Sequence, residues 1–174
     1  MKLLWCALAA ALVCPTVLAP AVFAQTKRDW TVYEPAGGGF RVELPAKPAI
    51  KSGTTNSDYG PAKTTYASTP TDSDLACTAR FTVYQPGATG SDPQVILNRV
   101  KQNLAQFPQR SEERFKIGNA WAIRFVMDLP DKGAKYESIE MGNHSIVLAC
   151  TFPQGQENSP DVSRVFKSLI LTKQ

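Results

Sequence analysis

Apolar and charged residues alternate strictly through Phe40-Arg41-Val42-Glu43-Leu44, the signature of a strand with one buried face, and Pro45 and Pro48 stop it. Residues 52–61, rich in Ser, Thr, Asn, Asp and Gly, read as a loop, and Lys63 to Ser68 as a second, weaker strand. After a turn over Thr69 to Asp74, Leu75, Cys77, Ala79, Phe81 and Val83 line one face of a long strand, and Thr78, Arg80, Thr82 and Tyr84 line the other. Asp92-Pro93 offers an N-cap followed by proline at the first helical position. Ile96, Leu97, Val100, Leu104 and Phe107 then recur at helical spacing, which predicts an amphipathic helix over 93–107 ending near Pro108.

A run of hairpins follows. Phe115 and Ile117 lead into Gly118-Asn119, and Trp121, Ile123, Phe125 and Met127 return on one face. Asp131-Lys132-Gly133 turns the chain into Tyr136 to Met141, and Gly142-Asn143 turns it again before His144, Ile146, Leu148, Cys150 and Phe152. Gly-Asn between alternating runs is a hairpin signal because glycine admits positive φ at the first central position. Ser159-Pro160 opens a last helix with Val162, Val165, Phe166 and Leu169 in its stripe. The order β-β-β-α-β-β-β-β-α, with strands joined by tight turns, predicts an α+β fold: an antiparallel β-sheet of about six to seven strands packed with two main helices.

The N-terminal pattern is of another kind. Lys2 gives a positive start, Leu3 to Leu18 is nearly all apolar, and Val22 and Ala24 place small residues before a cut at Gln25. That is a signal peptide over residues 1–24, leaving residues 25–174 as a single domain. No later apolar stretch approaches the ~20 residues needed to span a bilayer, so no membrane span is expected after cleavage. The protein is expected to be periplasmic or secreted, in a Gram-negative bacterium. The full chain of 174 residues carries a net charge of +4. Losing Lys2 with the signal lowers that only slightly, and a small, evenly mixed charge gives no nucleic-acid footprint.

Export also changes how the cysteines read. Cys6 and Cys14 leave with the signal, and the remaining pair, Cys77 and Cys150, is expected to form a structural disulfide in an oxidising compartment. His144 is the single histidine, so a Ser-His, Cys-His or histidine–metal site would have to use it. On a strand Ser145 points to the opposite face from His144, and Cys150 is about 20 Å along at ~3.3 Å per residue. No catalytic residue, metal ligand or cofactor site is therefore assigned. Gly37-Gly38-Gly39 lacks the Gly-Lys-Ser/Thr of a phosphate loop and reads as the entry to a strand. One polar surface stands out. Arg80, Arg124, Tyr84, Tyr136 and Glu140 all sit opposite the apolar rows of their strands, and a shared face would make a cleft for a carboxylate, a glycan or a partner loop.

Trp30-Thr31-Val32-Tyr33-Glu34-Pro35 running into Gly39-Phe40-Arg41-Val42-Glu43-Leu44-Pro45, the central helix, the hairpins and the closing Val165-Phe166-Lys167-Ser168-Leu169 together resemble small exported bacterial proteins similar to the PsbP-like fold. The resemblance implies an α/β sandwich and a role as an assembly or binding module, and it carries no functional residues with it. The expectation is an exported, periplasmic, non-catalytic binding or assembly module whose partner is an envelope protein or a small ligand. The alternatives are a cell-envelope hydrolase or a small-ligand or metal carrier.

Overall fold

The computed structural model describes residues 27–57, 59–88 and 92–172, so the expected signal peptide and its cut before Gln25 lie outside the described residues. In chain order the first elements are β1 (Thr31–Tyr33), β2 (Phe40–Leu44), β3 (Ala49–Ser57), β4 (Gly60–Ser68), β5 (Ala76–Val83) and α1 (Pro93–Leu104). They are followed by β6 (Gln109–Ile117), β7 (Ala120–Asp128), β8 (Gly133–Met141), β9 (His144–Phe152), α2 (Pro160–Lys167) and β10 (Ile170–Leu171).

Seven strands form one antiparallel sheet in the order β3-β4-β5-β9-β8-β7-β6, and β1, β2 and β10 form a small second sheet. The architecture is the expected α+β sandwich. Both helices begin where the sequence places them. The Asp92 carboxylate accepts from the Gln94 N–H at 2.9 Å, and Ser159 Oγ caps α2 through Val162 N–H.

The large sheet is covered on both faces. On one, Phe40, Val42 and Leu44 of the small sheet and Val162, Val165 and Phe166 of α2 pack on Cys77, Ala79, Phe81, Ile146, Leu148 and Cys150. On the other, Leu97 of α1, with Val100 and Leu104, packs on Ile123, Phe125 and Met127 of β7 and Ala134 of β8. The apolar row of β7 thus faces α1, whereas the apolar rows of β5 and β9 face α2. Cys77 and Cys150 are direct partners in the β5–β9 ladder and are joined by the expected disulfide.

Two expectations are corrected. Residues 52–61 are not a loop: β3 and β4 pair continuously from Ala49↔Ser68 to Ser57↔Gly60. β3 is an edge strand exposed along nearly its whole length, so no buried face imposes an apolar alternation, and hydroxyl pairs such as Ser52–Thr65 at 2.9 Å link it to β4. Helix α1 ends at Leu104, short of the expected 107, and Phe107 is exposed beyond it. The short strands β1 and β10, absent from the expected order, add an edge on each side of β2.

Candidate functional site

The two-residue turn Gly142-Asn143, with Gly142 at φ +65°, fixes the β8–β9 register at Met141↔His144 and Glu140↔Ser145. Side chains alternate along each strand, so Ser138, Glu140 and Ser145 emerge together on the α1 face. The next ladder pairs Ser145 with Thr82 and Val147 with Arg80, which brings two polar side chains of β5 onto that face. Helix α1 crosses above them with Ile96, Arg99, Val100 and Asn103, whose spacing of three, four and seven is one helical face. Tyr59, from the β3–β4 turn, and Tyr84, just after β5, complete the wall. The result is a cleft of about 280 Å³ between α1 and the sheet.

Glu140 lies at its base and is 3% exposed. Ser138 Oγ donates to its Oε1 at 3.0 Å and Ser145 Oγ at 3.2 Å. Burial pushes the carboxyl up to about 7, against which the two serine hydrogen bonds and the Arg80 charge act only in part. Burial, and after it the Glu140 charge, also raises the Tyr84 phenol. The Tyr59 and Tyr84 rings meet edge to face at 5.7 Å, and the Arg99 guanidinium lies 5.1 Å from the Tyr59 ring centre.

Among the described residues, five buried side-chain polar atoms have no hydrogen-bond partner, and three of them belong to this cleft: Arg80 Nε, Tyr59 OH and Glu140 Oε2. A buried polar group left unpaired costs about 1–3 kcal/mol, and these three lie around one cavity. A second, larger cleft of about 660 Å³ adjoins it, lined by Trp121, Met141, Leu171 and Pro93, and shares Ile96 and Glu140 with the first.

Of the five residues assigned from sequence to one polar face, Arg80, Tyr84 and Glu140 line the cleft. Tyr136 lies on the same face, opposite Phe125, and packs against the α1 cluster. Its phenol is raised by burial, with Arg80 and Glu140 acting on it in opposite directions.

Arg124 is a correction. It pairs with Glu137 in the β7–β8 ladder, Glu137 pairs with Leu148, and Leu148 pairs with Ala79, so Arg124 lies on the α2 face. The cause is the opposite facing of the apolar rows: polar positions of β7 and of β5 come out on different sides. Arg124 Nε donates to Glu137 Oε2 at 2.8 Å, and its guanidinium lies 4.4 Å from the Phe115 ring centre. Its role is to neutralise a buried acid.

Ser138, Ser145, Tyr59, Arg99 and Asn103 were not assigned from sequence. For the serines a signal existed, because folding the hairpin about Gly142-Asn143 sets Glu140 against Ser145. Tyr59 was hidden by the loop reading, and the polar residues of α1 look like any solvated helix face. His144 stacks on Phe81 at 5.5 Å with the rings 10° from parallel, on the opposite face from Ser145. Among the described residues no group of three or more His, Cys, Asp or Glu side chains is placed to hold a metal ion, and no helix is long and apolar enough to cross a membrane.

No protein-family model matches the chain, and no curated protein matches it in sequence. The fold is similar to that of cyanobacterial PsbP from Synechocystis sp. PCC 6803, with a TM-score of 0.54 at 8% identity over 86% of this chain and 96% of that one. A protein of unknown function from Pseudomonas aeruginosa is more distant in shape, with a TM-score of 0.42 at 10% identity over 83% of this chain and 99% of that one. The first likeness establishes a PsbP-like fold, and fold alone does not assign a function.

Proposed function

We propose that this chain is an exported, non-catalytic binding module that takes a small polar ligand in the cleft between α1 and the sheet. The observation that carries the reading is the gathering of Arg80 Nε, Tyr59 OH and Glu140 Oε2, buried and unpaired, around one cavity. A ligand that satisfies them recovers the cost of burying them.

A carboxyl raised to about 7 would also suit a general acid. A hydrolase of the two-carboxylate kind needs a second acid across the substrate. Glu140 is the only carboxylate among the described residues lining this cleft, and Glu137, three residues away, faces the other layer. That favours binding over hydrolysis.

Export rests on residues 1–24 and accords with the Cys77–Cys150 bridge. N-terminal sequencing of the protein from an envelope fraction is expected to begin at Gln25, and an intact Met1 in the membrane pellet would refute cleavage. For the ligand, a thermal-shift screen of the mature protein against sugars, organic acids and amino acids is expected to give at least one stabilising compound. The stabilisation should fall on Arg80→Gln. A hit unaffected by substitutions at Arg80, Tyr84 and Asn103 would place binding elsewhere and overturn the proposal.

A further inference from the structure

Building on the proposed binding role, we infer that the cleft takes a monosaccharide-sized hydroxylated carboxylate, a sugar acid, whose carboxylate meets Arg80 and whose hydroxyls meet Tyr59, Asn103 and Glu140. Charge comes first. Among the described lining residues Arg80 is cationic and Glu140 is the sole acid, so with Glu140 protonated the cleft favours an anion. A guanidinium presents a planar fork that matches a carboxylate, and Arg80 has an unused buried N–H.

The rest of the lining suits hydroxyls. Asn56, Ser57, Asn103 and the two tyrosines offer donors and acceptors from several directions. Glu140 Oε2 accepts when ionised and donates when protonated, while the two serines hold the other oxygen in place. A cationic ligand has less to gain. The Tyr59 ring is already engaged by the Arg99 guanidinium, so it is not an open platform for an ammonium. Size limits the ligand too: about 280 Å³ falls just under the ~300–1,000 Å³ of pockets for drug-sized molecules, which suits one ring rather than a chain.

The carboxyl of Glu140, held near 7 by burial, then links binding to protons. A carboxylate beside it favours its protonated form, so affinity rises as pH falls from 8 to 6. An ammonium ligand would show the reverse. The charged and titratable groups around Glu140 are Arg80 and Tyr84 on the β5 side, Tyr136 on β8, Tyr59 at the β3–β4 turn and Arg99 on α1. Arginine and tyrosine ordinarily ionise well above pH 8, which leaves Glu140 as the group that changes in that window.

The test is a calorimetric or NMR titration of the mature protein with D-glucuronate and D-glucose at pH 6 and pH 8, and with D-glucosamine at pH 6, where its amine is cationic. Glucuronate is expected to bind about tenfold more tightly than glucose, the scale of one charge-assisted contact. Glucosamine should bind least, and glucuronate should bind more tightly at pH 6. Arg80→Gln should abolish the preference. Asn103→Asp, at an exposed helical position, should abolish it too by adding a negative charge without touching the core. Equal or stronger binding of glucose or glucosamine overturns the ligand class, as does a preference that survives both variants. Failure of all three sugars to bind also overturns it, while the wider screen still decides whether the cleft binds at all.

Discussion

Glu137 and Glu140 are three positions apart on β8 and enter opposite layers of the protein, both almost wholly buried. An odd spacing on a strand always separates two side chains in this way. They differ in their partners. Glu137 is held by the Arg124 guanidinium on the α2 face, with N–O distances of 2.8 and 2.7 Å. Glu140 has only two serine hydroxyls on the α1 face, and each acid keeps one oxygen unpaired, Glu137 Oε1 and Glu140 Oε2. The first acid meets a cation directly, and the second meets neutral hydroxyls.

The Arg124–Glu137 pair should therefore behave as a structural unit. Removing one member strands a buried charge, so Arg124→Ala should lose about 3–5 kcal/mol in urea unfolding. Replacing both with apolar side chains, Arg124→Met with Glu137→Leu, should recover most of that loss. A double variant as unstable as the single one would show that the pair contributes through packing rather than through charge compensation.

Glu140 gives a pH dependence of definite sign. Its carboxyl is raised from 4.5 to about 7 in the folded protein, so between those values the folded state holds the extra proton. The stability this confers is complete below pH 4.5 and is lost as pH rises through 7. By linkage the span is worth about 3 kcal/mol. Glu137, also raised by burial, contributes in the same direction. Glu140→Gln isolates the first effect: the variant should match the parent near pH 4 and exceed it at pH 8. Parallel stability curves would contradict the account.

Gly133 tests the packing between β8 and β9. A Cβ there would lie 2.6 Å from Phe152 Cε2, and that ring is fully buried. Gly133→Ala should cost about 1–3 kcal/mol through overpacking, since the ring has no open space to enter. Gly53→Ala, where a Cβ meets nothing within 4 Å, is the control. The expected Tm change at position 53 is small by comparison.

Parity within a strand was legible from residue order, which is why Arg80 and Tyr84 could be assigned to one face and why Ser145 could be separated from His144. Phase between strands was not. Whether the apolar row of β7 faces the same layer as that of β9 depends on the register set by two intervening ladders and on the length of the 129–132 connection. A sheet covered on both faces makes either answer compatible with alternation, and Arg124 was misplaced for that reason. The β3–β4 hairpin was illegible for a different one: an exposed edge strand is stabilised by its ladder and hydroxyl pairs, neither of which leaves an apolar period in the sequence.

The Cys77–Cys150 bridge ties stability to the redox state of the surroundings. It joins residues 73 positions apart at the centre of the sheet, where β5 and β9 pair directly. Constraining a loop of that length in the unfolded chain stabilises the folded one by about 4 kcal/mol on the chain-entropy argument. Both cysteines are also buried in the core facing α2, so Ala at these positions removes packing as well as the bond. Reduction of the intact protein separates the two effects, because it breaks the bond and keeps both sulfurs. The reduced protein should unfold at lower urea concentration, by an amount close to the loop-closure value, and the Cys77→Ala/Cys150→Ala variant should unfold lower still. Produced without residues 1–24 in a reducing cytoplasm, the chain should be less stable than the disulfide-bonded form and should regain the difference on oxidation. Equal stability of the oxidised and reduced forms would mean that the β5–β9 pairing is held by its ladder and core alone.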